Sequence, residues 1–447
     1  MIGALTLGLG LMVIAGLGAV LVESLIRRAD VGAALVLGVT VLNAALGANL
    51  PTLMLGSVQL RLTDAVFALV LVAAVARLLR MQRFTKLQRW LLVLAVMLLL
   101  SLLRGAGKFG FEGSLADFRP YLRFAGGALY FASFPPSEWL NDRIGRIWLV
   151  TGVPMMVLVC LRWLSTFAGL GIGVLSDQYN TAIRAVNGGE TFFLAEAFLL
   201  TMPAWQTRDP RARWLRSLGA VLLLFVLLLN RRTVWLALLI GMAVIVLRDR
   251  KLGRRGIALA VGAAVVTAGV LAAFPETTTE KDEVAKSAAD TGTLEWRIEG
   301  WKNLMGGGPD NPTEWLVGQP FGSGFARQVN ERELETNPHS FYLQTLLRTG
   351  VVGLLALIVV VGGLLRATWR IPQRGGHVLA AGMLPALLTM QFIWFITWVP
   401  GMEQGLVTGL AVSWVSARLR PPRPPSAASS AGGAVRLGDG SREELHV

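Results

Sequence analysis

A single cysteine, Cys160, lies inside an apolar run, so the chain forms no internal disulfide and no cysteine cluster to hold a metal. Histidine is almost as scarce, with only His339, His377 and His446. Acidic residues are outnumbered, 28 Asp and Glu against 42 Lys and Arg. That imbalance suggests a nucleic-acid partner until its placement is considered. Most of the basic residues fall in short clusters between apolar runs, where they act as topology signals, so nucleic acid is excluded as a partner. Catalytic signatures are missing too: no outer connection carries an Asp-x-Asp pair, no His-Glu-x-x-His occurs, and no Walker glycine loop precedes Lys-Ser or Lys-Thr.

What the sequence has in abundance is hydrophobic length. Hydrophobic residues make up 54% of it, and mean hydropathy is +0.57. Many apolar windows reach about 20 residues, the length of a membrane-crossing helix. They are continuously apolar rather than alternating, which excludes a barrel. The expected fold class is an all-α polytopic membrane protein. Met1 to Val22 lacks a basic leader and reads as a retained span.

Basic clusters recur at Arg27-Arg28, Arg77–Arg89, Arg143–Arg146, Arg208–Arg216, Arg248–Arg255, Arg366–Arg374 and Arg418–Arg423. Placing all of them on the cytoplasmic side gives 12–13 transmembrane helices. The outward connections become Ala48–Arg61, Leu103–Arg123, Thr166–Glu190, Asn230–Arg232, Pro275–Ser340 and Val399–Gln404. Within the first of these, Pro51–Leu62 reads as a possible re-entrant turn. Four regions follow: a bundle over 1–274, a large outer loop over 275–340, further spans over 341–417, and a Pro-, Ala-, Gly- and Ser-rich disordered tail over 418–447.

Two stretches interrupt this pattern. Only 31 residues separate Arg216 from Arg248, with Asn230-Arg231-Arg232-Thr233 in the middle. The charge rule demands a hairpin, yet limbs of about 13–15 residues reach only about 20–23 Å, short of a hydrocarbon core of about 30 Å. Arg231 and Arg232 then lie recessed, where charge calls for a cavity or an anionic partner unless the side chains snorkel outward. The second stretch, Pro275–Ser340, reverses the charge balance with twelve Asp and Glu against six Lys and Arg. Inside it, Leu294, Ile298 and Trp301 share helical spacing, with Arg297 on the opposite side. Gly318-Gln319-Pro320-Phe321-Gly322-Ser323-Gly324-Phe325 permits close backbone approach to a ligand. The stretch closes with Asn337-Pro338-His339-Ser340. Asn337 fits a helix cap and Pro338 the first helical position, which puts His339 in the first turn. A helix N-terminus keeps that imidazole neutral and fit to act as a general base, although an interfacial histidine that merely caps a helix has the same pattern.

Asn337-Pro338-His339-Ser340-Phe341-Tyr342-Leu343-Gln344, ending in Arg348-Thr349-Gly350-Val351-Val352-Gly353-Leu354, resembles the signature of the O-antigen ligase and polymerase superfamily. Ser340 stands where that family has asparagine. Asn230-Arg231-Arg232-Thr233-Val234-Trp235-Leu236 is similar to its Ser-Arg motif, Leu316–Phe325 to its glycine-rich turn, and Arg297 near Trp301 to its loop arginine. The resemblance covers about Leu215–Gly363.

It implies a GT-C-like fold, with a large periplasmic loop carrying short helices, in the bacterial inner membrane. It also implies metal-independent, inverting transfer of a glycan, without a cofactor, from an undecaprenyl-pyrophosphate carrier to an acceptor hydroxyl. The acceptor is lipid A–core in the ligases and a second carrier-linked repeat in the polymerases. Arg231, Arg232 and Arg297 are assigned to the pyrophosphate, which guanidinium groups bind bidentately, and His339 to deprotonating the acceptor. Arg119, Arg123, Gln344, Arg348, Gly322 and Gly324 are possible cavity-lining residues. A lipid-linked-glycan flippase or exporter is the rival class. It calls for mid-membrane charges and internal repeats, of which the sequence offers chiefly Glu196.

Overall fold

The computed structural model describes residues 16–47, 52–55, 58–168, 185–205, 209–273, 292–306, 311–329, 332–335, 337–370 and 383–418. The first fifteen residues of the expected span Met1–Val22, the tail beyond 418 and His377 lie outside them, while residues 16–27 are helical.

The protein is an all-α multi-pass membrane protein. Among the described residues five helices are long and apolar enough to cross a membrane. They are α1 (Ala29–Leu46), α2 (Leu62–Arg80), α3 (Lys86–Phe109), α5 (Glu138–Phe167) and α12 (Phe341–Trp369). Between them run α4 (Phe111–Ala132), α6 (Gly188–Thr201), α7 (Arg213–Leu228), α8 (Arg232–Arg248) and α9 (Arg250–Ala273). Two short helices follow, α10 (Gly292–Gly306) and α11 (Pro312–Val317), and the chain ends with α13 (Leu384–Trp394) and α14 (Met402–Arg418).

Three basic clusters meet at one end of the bundle. Asp30 pairs with both Arg28 (2.8 Å) and Arg143 (2.7 Å), and Arg77 donates to Ile26 O (2.5 Å) and Ser133 O (2.9 Å). Asp64, at the start of α2, marks the opposite end, where it pairs with Arg123 of α4 at 2.7 Å. The functional loops gather at this second end.

Two connections take regular structure. Within Pro51–Leu62, Thr52–Leu55 (β1) and Val58–Arg61 (β2) pair as an antiparallel hairpin. Leu103–Arg123, read as a connection, is helical: α3 and α4 continue through it and Gly110 breaks the helix, at φ 85°. Positive φ is open to glycine without a Cβ clash, which is why one residue suffices for the turn.

The α7–α8 pair is the short hairpin anticipated from charge. Its limbs of 16 and 17 residues reach about 24 and 26 Å, still short of a core of about 30 Å. Asn230 makes the turn at φ 48°, a left-handed conformation that asparagine tolerates better than most residues.

Helices α4 and α14 cross on small residues. A Cβ added to Gly405 would come within 2.5 Å of Phe124 O, and one on Gly409 within 2.5 Å of Ala128 O. Close backbone approach of this kind holds membrane helices together where lipid removes the hydrophobic drive between them.

Candidate functional site

Ser340 caps α12, its hydroxyl accepting from Leu343 N at 3.4 Å, so the helix begins at Phe341. His339 therefore precedes the cap and does not sit in the first turn; Pro338 is not the first helical residue. What shapes the segment is Asn337, whose Oδ1 accepts the backbone N–H of His339 at 2.9 Å. This Asx turn allows His339 its φ of 54°. Asn230 and His339 are the non-glycine residues with positive φ among the described residues. Each lies at the centre of a motif, and strained backbone of this kind concentrates at functional sites.

The turn is held from three sides. Asn337 Oδ1 also accepts from Gln344 Nε2, one turn into α12, and Gln344 Oε1 accepts from Tyr121 Oη of α4 at 2.7 Å. Trp301 Nε1 of α10 donates to Pro338 O at 2.8 Å. The His339 ring meets Trp398 edge-on, with centroids 5.5 Å apart. Trp398 in turn stacks on Trp394 at 5.3 Å.

Arginines surround this imidazole. Burial, then the positive charges of Arg297 and Arg327, hold the His339 ring below its usual range, so it is neutral at pH 7. The expected protonation state is thus reached mainly through desolvation and neighbouring cations. Arg297 is itself lowered by burial and then by the charge of Arg232, and its Nε has no hydrogen-bond partner. Arg232, Arg297 and His339 accordingly form one electrostatic chain from the hairpin turn through α10 to the histidine. Arg231, the cap residue of α8, donates from Nη2 to Val186 O at 2.7 Å. That ties the hairpin turn to the segment leading into α6, where Gly188 packs under Trp394 and Trp398.

The other sequence candidates have different roles. Arg348 does not line a cavity. It is fully buried, pairs with Asp117 at 2.6 Å and donates to Pro320 O (3.1 Å) and Gly324 O (2.8 Å), with Phe325 beneath its guanidinium at 4.1 Å. The glycine-rich loop packs against protein at Phe321 and Gly322, whereas Gly324 is exposed with open space beside its Cα. Gly322 N donates to Asp117 Oδ2 at 3.3 Å, Phe321 is buried against Phe118 and Tyr121, and Gly324 supplies its carbonyl to Arg348. Gly318 (φ 83°) and Gly350 (φ 66°) let this loop and α12 touch backbone to backbone, with Gln319 N donating to Leu347 O at 2.6 Å. Gln344 positions the histidine turn. Arg119 and Arg123 share the one carboxylate of Asp64, at 3.7 and 2.7 Å, and Arg123 also lines a cavity.

Sequence reasoning missed Arg327, on β3 (Arg327–Val329), which lies over the Trp296 ring at 5.6 Å and acts on His339. It missed Trp398 and a cavity of about 470 Å³ lined in part by Trp398, Asn187, Glu190 and Glu403. No periodicity marks these residues, because each belongs to a connection or a helix end rather than to an apolar face. The one available signal was Asn187-Gly188-Gly189-Glu190, a cap followed by an acidic first turn.

The fold and this site define a polytopic membrane protein in which loops converge on a neutral histidine near Arg297 and Arg327. Residues 218–358 match the family model described as O-antigen ligase, in agreement with the O-antigen ligase and polymerase superfamily. The matched stretch runs from α7 into α12 and contains Arg231, Arg232, Arg297 and His339. The family supports glycan transfer of the ligase or polymerase kind, with lipid-linked glycan and acceptor substrates. No curated protein matches the chain.

Proposed function

We propose that the protein transfers a glycan from an undecaprenyl-pyrophosphate carrier to a hydroxyl of lipid A–core, on the periplasmic face of the bacterial inner membrane. The observation that supports this reading is the electrostatic coupling of Arg232 to Arg297 and of Arg297 to His339, which sets half-buried cations beside a neutral base. Guanidinium groups bind a pyrophosphate bidentately. A neutral imidazole near pH 7 accepts the proton of an attacking hydroxyl.

In this mechanism Nδ1 or Nε2 of His339 takes the acceptor proton as the oxygen forms its bond to the anomeric carbon. The bond from that carbon to the carrier pyrophosphate breaks, and its electron pair leaves with the phosphate. Arg231, Arg232 and Arg297 stabilise the charge that develops there, the electrostatic term on which such transfers depend. Attack opposite the leaving group inverts the anomeric centre. The pyrophosphate is already a good leaving group, so the reaction asks for positive charge more than for a proton donor, and neither a metal nor a cofactor is required of it.

The test is transfer by the purified protein from a defined carrier-linked glycan, with lipid A–core and a second carrier-linked repeat offered as rival acceptors. Product on lipid A–core is expected, with turnover unchanged by a chelator. Product only on the second repeat makes the protein a polymerase. Neither product, with movement of the carrier lipid across a bilayer instead, overturns the transferase reading.

A further inference from the structure

Beside the histidine lies a cavity of about 470 Å³, within the about 300–1,000 Å³ span of small-molecule sites. Trp398 joins the two: it lines the cavity and meets the His339 ring edge-on. The cavity is built, not a packing gap. Glu190 is 7% exposed, yet its Oε2 has no hydrogen-bond partner. Trp398 Nε1, Arg123 Nε and Gln404 Nε2, all on lining residues, are buried and equally unsatisfied. Buried polar groups in folded proteins are nearly always paired, to protein or to ordered water, so four such orphan atoms around one space mark a polar site open to a hydrogen-bonding occupant.

The chemistry of those orphans narrows the occupant. An anion is disfavoured: Glu190 and Glu403 both line the cavity against one basic lining residue, Arg123, which already pairs with Asp64. A bare cation is disfavoured as well, because three of the four unsatisfied atoms are N–H donors, which repel it. A neutral molecule that both donates and accepts fits all four. The Trp394–Trp398 stack adds an apolar wall, and an apolar ring face with hydroxyls at its edge is the shape of a sugar.

Building on the proposed glycan transfer, we propose that this cavity is the acceptor-sugar subsite, with Glu190 accepting from sugar hydroxyls and Trp398 packing on a ring face next to His339. The carrier pyrophosphate then lies by Arg232 and Arg297, on elements separate from the cavity lining.

Binding of two soluble probes to the full-length protein in nanodiscs tests this: delipidated core oligosaccharide of the producing bacterium, and the repeat oligosaccharide released from its carrier by mild acid. Tryptophan fluorescence and calorimetry both report it. Saturable binding of one of the two is expected, weakened at least tenfold by Glu190→Gln and by Trp398→Phe, with melting temperatures near wild type and carrier-lipid binding kept. Two variants are used so that misfolding of one does not decide the outcome. Binding of neither probe overturns the subsite, as does binding that both variants leave unchanged. A fluorescence response to calcium or sodium chloride alone that Glu190→Gln removes, with none to saccharide, makes this a cation site and also overturns it. Binding requires no turnover. Saccharide binding without transfer sinks the proposed reaction alone, and transfer with variant-independent binding sinks the subsite alone.

Discussion

Asn337 and His339 share one hydrogen bond, from the histidine backbone N–H to the asparagine Oδ1 at 2.9 Å, and it holds the imidazole in a left-handed backbone conformation. The same oxygen is engaged by Gln344, which Tyr121 holds in turn. Asn337→Ala removes the turn and loosens both. Misplacing a reacting group by about 1 Å lowers rates by about a hundredfold, so kcat is expected to fall about ten- to a hundredfold while the melting temperature changes little. Asn337→Asp keeps the accepting oxygen and should retain more activity. Equal, full rates in both variants would show that the turn does not position the base.

His339→Ala is expected to abolish glycan transfer while protein level and carrier-lipid binding persist, because the carrier is held by arginines on other elements. Product ladders like those of the wild type would remove the imidazole from the mechanism.

The acid limb of the pH profile should lie below the ordinary imidazole value of about 6.5. Protonation destroys the base, so activity is lost as pH falls through the folded pKa, and burial with Arg297 and Arg327 lowers that pKa. Arg297→Gln removes one repelling charge, which raises the pKa and moves the limb upward. The measurement is kcat/KM against pH for both proteins. An acid limb above 6.5 in the wild type, or one unmoved by the substitution, contradicts the assignment.

Arg232→Lys keeps charge but loses the planar fork, so donor kcat/KM should fall at least tenfold. Arg231→Lys should fall similarly, in part through loss of the bond to Val186 O that ties the hairpin turn to the start of α6. Donor titrations at saturating acceptor separate the two. Full activity in both returns the pair to a snorkelling role.

Arg348→Ala is expected to destabilise the fold rather than slow the chemistry selectively. Removing one member of a buried ion pair leaves its partner uncompensated, an effect of about 3–5 kcal/mol, and here Asp117 and the glycine-rich loop lose their anchor together. A lowered melting temperature in detergent checks it. Loss of activity at an unchanged melting temperature would point back to a catalytic role.

Much of the outline was legible in advance. Hydropathy marked a multi-span helical protein, and charge spacing alone anticipated the α7–α8 hairpin, because lipid penalises misplaced arginines strongly enough to write topology into sequence. The histidine segment was legible only in part: Asn337 shapes the backbone locally, but as an Asx turn onto His339 rather than as the helix cap, which is Ser340. The functions of Arg348, Gln344, Gly322 and Gly324 were not legible. Arg348 and Gly322 meet Asp117, and Gln344 meets Tyr121, partners on α4 that lie more than about two hundred positions away along the chain.

The division has a physical cause. Residue order settled which segments leave water for lipid, and which turn residues break a helix, since solvation and backbone sterics act on near neighbours. Folding settled what each guanidinium group meets. Arg119 and Arg123 share the carboxylate of Asp64 and Arg348 meets that of Asp117, while Arg297 and Arg327 lie near enough to His339 to lower its pKa. Charges of the same type became an ion pair or part of a site according to what packing placed opposite them.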